Sequence, residues 1–139
     1  WREALDGGDP VAKVSHRDRL MRWEAPFTSE KEEVFKAEHR IQGAMWGETD
    51  GMLMVYQRER MKRWRYVWLL DVNKGTAKQW FDLDENDRYS DPGYPMYTRL
   101  ANGKSVIREE SAVSRWRTHH SDNSGRPAAR SKPAIHPAG

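Results

Sequence analysis

Hydrolytic serine chemistry needs a Ser on a sharp turn, commonly Gly-x-Ser-x-Gly, with a His and an acid to activate it. The 139 residues contain no such elbow. The nearest approach, Gly103-Lys104-Ser105, sits between two strand-like runs. The same three residues imitate the end of a phosphate-binding loop, but the earlier glycine that such a loop requires falls on Thr98. A cradle of backbone N–H groups cannot form there. Asp82-Leu83-Asp84-Glu85-Asn86-Asp87 resembles the opening of a calcium loop. That loop needs Gly at its sixth position and Glu at its twelfth, where the chain has Asp87 and Gly93. A solvated acidic loop at the end of a strand is the better reading. The histidines are His16, His39, His119, His120 and His136, and no two stand in a His-x-x-x-His pair. We assign no metal, no cofactor and no catalytic residue.

One stretch, Arg58-Glu59-Arg60-Met61-Lys62-Arg63-Trp64-Arg65-Tyr66, interleaves cations and aromatic rings as single-strand nucleic-acid binders do. Glu48, Asp50 and Glu59 are close enough in sequence to neutralise it. Three readings stand: a basic connection between strands, a site for an acidic or carboxylate ligand, and a nucleic-acid contact. The first is favoured. Overall charge does not help the third. Residues 1–112 hold 19 Lys+Arg against 20 Asp+Glu, and the net charge of +3 comes from residues 113–139. The sequence pI of 9.3 therefore belongs to the tail, and neither nucleic acid nor membrane is expected as a partner.

The elements that carry these residues are short. Glycine and proline punctuate the chain at Gly7-Gly8-Asp9-Pro10, Ala25-Pro26, residues 47–51, Asn73-Lys74-Gly75, Asp91-Pro92-Gly93 and Asn102-Gly103. Between them lie runs of strand length, predicted at 19–24, 33–36, 43–46, 52–57, 65–71, 78–82, 95–99 and 105–109. Asn102-Gly103 marks a hairpin, because both residues tolerate the positive φ of a tight turn. A helix can be argued only over 56–64, where charges dominate and no apolar stripe appears; a strand end and loop is preferred.

Residues 43–82 thus read as a four-stranded antiparallel meander of one propeller blade's length. Before it, 20–23 and 34–35 read as the last two strands of a preceding blade. After it, 95–97 and 106–107 read as the first two of the next. Phe35 and Phe81 are 46 residues apart, and Trp46 and Tyr97 are 51 apart, near the blade periods of such folds. The expected class is all-β, an incomplete β-propeller over residues 1–112 with one full blade near 43–82.

Composition agrees. With 7 Trp, 5 Tyr and 3 Phe at a mean hydropathy of −1.01, the chain suits strands that bury one face and wet the other. It has no Cys, which excludes disulfides, thiolate zinc sites and thiol catalysis, and it assigns no compartment. No stretch approaches a membrane span and the first ten residues lack a signal-peptide pattern. The opening on Trp1 leads us to expect further residues upstream. Residues 113–139 have no period and few apolar anchors, so disorder is expected there. Their composition also fits an out-of-frame reading, with the native sequence ending near Glu110.

Two runs carry more than composition. Trp1-Arg2-Glu3-Ala4-Leu5-Asp6-Gly7-Gly8-Asp9-Pro10, followed by Val14-Ser15-His16-Arg17-Asp18, resembles the propeller of glutamyl endopeptidases in the prolyl oligopeptidase family of serine peptidases. So does Phe81-Asp82 continuing to Tyr89-Ser90-Asp91-Pro92-Gly93-Tyr94-Pro95-Met96, with Ala25-Pro26-Phe27, Phe35-Lys36, Arg40 and Gly43-Ala44-Met45-Trp46-Gly47 in family order between them. The resemblance covers about residues 1–110. It implies structural signature residues at Leu5, Asp6, Gly7, Gly8, Asp9, Pro10, Arg17, Asp18, Trp46, Tyr89, Ser90, Asp91, Pro92 and Gly93. It further implies a parent in which a propeller stands over an α/β-hydrolase domain and gates peptide substrates cleaved after acidic residues. The remaining blades, that domain and the peptide would be the partners. No triad position falls in the matched region, so the chain alone is expected to be inactive. A standalone protein- or peptide-binding module is the alternative.

Overall fold

The computed structural model describes residues 1–110 and the backbone of 115–116 and 118–119, with side chains through Glu109. The described residues form antiparallel sheets with no helix and no closed barrel. The first sheet has the order β1-β2-β3, from Arg2–Ala4 (β1), Asp18–Arg22 (β2) and Glu32–Ala37 (β3). The second is the meander β4-β5-β6-β7, from Arg40–Trp46 (β4), Met52–Glu59 (β5), Trp64–Asp71 (β6) and Thr76–Asp84 (β7). Tyr94–Pro95 (β8) is followed by the hairpin of Tyr97–Arg99 (β9) and Ser105–Ile107 (β10). Glu109–Glu110 (β11) pairs with Arg115–Trp116 (β12), and Thr118–His119 (β13) pairs with β8. These last two strands are all that is described of the segment expected to be disordered; the rest of that expectation lies outside the described residues.

The meander is the centre of the molecule because its strands are apolar on both faces. Successive side chains of a strand point to opposite sides, yet Leu53, Met54 and Val55 of β5 are all buried. Leu53, Val55 and Leu70 join Leu20 and Ala37 of the first sheet, with Ile41 and Val72, and Phe35 packs at a tilt against Trp68, 5.4 Å between ring centres. On the other face Met54 and Val67 close on Ile107 of β10. Each such side chain contributes about 1.5–3 kcal/mol when fully removed from water. A bulge opposite Val67 and Trp68 inserts one extra residue in β7, which lets the consecutive rings Trp80 and Phe81 both reach this second cluster.

Several boundaries differ from the sequence reading. The unit before the meander has three strands, not two, since Arg2–Ala4 pairs along β2. Three residues carry too little alternation to be read as a strand; only the pairing defines them. The run 95–99 is split. Pro95 has no N–H to offer a continuous ladder, and the chain changes partner from β13 to β10 across Met96. The hairpin marked by Asn102-Gly103 stands as expected, joining Tyr97–Arg99 to Ser105–Ile107. Over 56–64 the chain is strand to Glu59, a turn at 60–63, then strand from Trp64.

Candidate functional site

The first signature run builds a turn and delivers a carboxylate. Gly7 and Gly8 both have positive φ, 64° and 84°, which side-chain-bearing residues resist. The turn lets Asp6 Oδ1 accept the Gly8 N–H at 2.9 Å while Oδ2 accepts from Arg17 at 3.0 Å. Asp9 completes it, accepting from the Val11 N–H at 2.9 Å.

Arg40, the first residue of β4, then reaches back. One guanidinium nitrogen meets Asp6 and another meets Asp18. Asp18 is fully enclosed and also accepts the Ile41 N–H at 2.7 Å, with Arg2 Nε at 3.9 Å. Burial pushes the Asp6 carboxyl up, but the Gly8 N–H and the Arg40 and Arg17 guanidinia outweigh it and hold the group below its ordinary range. Two buried carboxylates and two arginines thus join the turn, β2 and β4 in one network. Only the link 38–39 separates β3 from β4 in the chain, so this network fixes how the two sheets meet. All its charges are matched, so it offers no free acid, base or nucleophile.

The second signature run is the connection from the meander to the next hairpin. Asp87 accepts from the Ser90 hydroxyl at 2.6 Å and from the Tyr89 and Ser90 N–H groups, which hold its carboxyl below the ordinary range. Asp91 accepts from Arg65 at 3.0 Å and from the Gly93 N–H at 2.9 Å. Pro92 lies between them, and Tyr89 is fully exposed. The two runs do not meet. Each organises a different junction of the central sheet. Leu5 is about one-third exposed, and Trp46 is half exposed on β4.

Contacts that the sequence did not reveal complete the picture. Thr49, in the β4–β5 turn, donates to Glu109 through its N–H at 2.9 Å and its hydroxyl at 2.8 Å. Glu109 in turn donates its N–H to Glu48 at 2.8 Å. That bond, with one from Thr98, keeps the Glu48 carboxyl below its ordinary range. No motif marks these residues, because they lie 60 positions apart. Arg40 could have been suspected: two buried aspartates need more cation than Arg17 alone.

The basic stretch is largely neutralised. Arg58 binds Glu85 at 2.7 Å, Lys62 binds Glu59 at 3.0 Å, and Arg65 binds Asp91. Tyr66 stacks on His39 at 4.7 Å and donates to Glu59; burial and that carboxylate push its hydroxyl up to about 12. Ser15 touches His16 at 3.1 Å, but no carboxylate hydrogen-bonds to that imidazole among the described residues. Among them, too, no group of three His, Asp or Glu side chains is arranged to hold a metal.

Over 111 residues the chain is 34% identical to a protein named "Probable glutamyl endopeptidase, chloroplastic" from Oryza sativa subsp. japonica. It is similar, at the same identity and length, to a protein of that name from Arabidopsis thaliana. The match takes in 77% of this chain but 12% of either relative. This chain therefore corresponds to a small part of those proteins. No family model and no solved structure matches it.

Proposed function

We propose that the chain is a non-catalytic stretch of a β-propeller from a serine peptidase of the glutamyl-endopeptidase kind. In the parent, the ring of blades would stand over a hydrolase domain and restrict which peptides reach it. One observation carries this reading: a four-stranded meander with a neighbouring antiparallel sheet packed against each face, as a blade has its neighbours. In these terms β4–β7 is one blade, β1–β3 the greater part of the preceding one, and β9–β10 the opening of the next. The names of the two relatives support the peptidase parent. The absent blades, the hydrolase domain and a peptide substrate are then its partners.

The test is hydrolysis of a fluorogenic peptide with Glu before the reporter, by the chain alone and by the full reading frame that encodes it. An inert chain and an active parent are expected. An inert parent, or turnover by the chain itself, would overturn it.

A further inference from the structure

The two sheets that share the larger core are unequal, three strands against four. On the face of the meander turned to the first sheet, Leu53 and Val55 of β5 are buried, while Ala44 and Trp46 of β4, directly paired with Val55 and Leu53, are exposed. The first sheet therefore covers β5, β6 and the Ile41 end of β4, and leaves the Ala44 to Trp46 end of β4 bare.

The uncovered strip is a cleft of about 690 Å³ between the edges of β1 and β4, with Trp1, Trp23 and Trp46 on its walls and Leu20, Ile41 and Leu53 at its floor. Trp1 and Leu5 bond inward to β2, through Met21 and Arg17. By alternation, the backbone groups of Arg2 and Ala4 point out toward the cleft. The cleft's cations are already engaged: Arg2 donates to the Ile41 carbonyl at 2.8 Å and Arg22 binds Glu32 at 2.7 Å. Its occupant should be uncharged and extended.

We propose that this cleft seats a further β-strand of the parent protein, antiparallel to β1 along its free edge, with alternate apolar side chains resting on Ala44 and Trp46. The proposal rests on the propeller reading, and it names the missing inner strand of the blade that β1–β3 complete. The relatives are long enough to supply it, since the matched region is 12% of their length.

The probe is a synthetic peptide copying the residues immediately upstream of the matched region in the rice relative, titrated into the chain while tryptophan fluorescence is followed. A saturable blue shift is expected. Ala4→Pro, which removes an outward N–H from an edge strand, should weaken binding roughly fivefold. Ala44→Glu, at an exposed position, should weaken it at least as much, both with unchanged thermal melts. No saturable shift, or an affinity in both variants equal to that of the unmodified chain, would overturn the proposal. So would a concentration-dependent dimer lost in Ala4→Pro, which would give the edge to a second copy. The peptidase assay on the full reading frame is unaffected by any of these results, so the two ideas fail separately.

Discussion

Toward β1–β3, the central sheet buries Leu53, Val55 and Leu70 against Leu20 and Ala37, and the Asp6, Arg17, Asp18 and Arg40 network locks the arrangement from the side. Toward β9–β10, it buries Met54 and Val67 against one fully enclosed residue, Ile107, and the polar ties of Glu48, Thr49 and Glu109 lie in solvent. Exposed polar ties contribute little to stability, whereas a buried charge is costly once its partner is removed. The first junction should behave as one body with the central sheet. The second should open more readily. In a ring of blades, that would make β9–β10 the more adaptable side.

Asp18→Ala gives the sharpest way to break this contrast. It leaves Arg40 and the Ile41 N–H without their enclosed acceptor, and we expect a loss of about 3–5 kcal/mol in urea unfolding. Ile107→Val, at the second junction, removes one buried methylene and should cost about 0.5–1.5 kcal/mol. If Ile107→Val cost as much as Asp18→Ala, the two junctions would be equivalent.

Acid sharpens the comparison further. The Asp6 carboxyl is depressed in the folded chain, so the unfolded chain takes up its proton first as pH falls. Its contribution is present above about pH 4 and is lost as pH drops through the window below. The urea midpoint should therefore fall on acidification, and Asp6→Asn should flatten that dependence while lowering the midpoint at neutral pH. Glu109→Gln should do least. Its hydroxyl and amide contacts at Thr49 are solvent-facing, and a Tm shift of about 1–2 °C or less is expected by calorimetry.

The all-β class and the central meander were legible because Tyr66-Val67-Trp68-Leu69-Leu70 and Met52-Leu53-Met54-Val55 are apolar runs of strand length bounded by turns. Their two-sided burial is what such runs require. Arg2–Ala4 was not legible, being three residues defined only by a partner. The break at Met96 is not legible for a related reason: local pattern does not tell a strand when its neighbour changes. The signature residues Asp6, Arg17 and Asp18 stand out as a motif, but their purpose depends on Arg40, 22 positions beyond Asp18. That distance is closed by the fold and not by the sequence.

Amide hydrogen exchange on the unmodified chain tests the central claim most directly. If the meander is held between a firm neighbour and a looser one, β5 and β6 should exchange slowest, β2 should open together with them, and Ser105–Ile107 should exchange through a separate, easier opening. Fast, independent exchange in β2 while β5 and β6 stay protected, or protection of β10 equal to that of β2, would contradict the account.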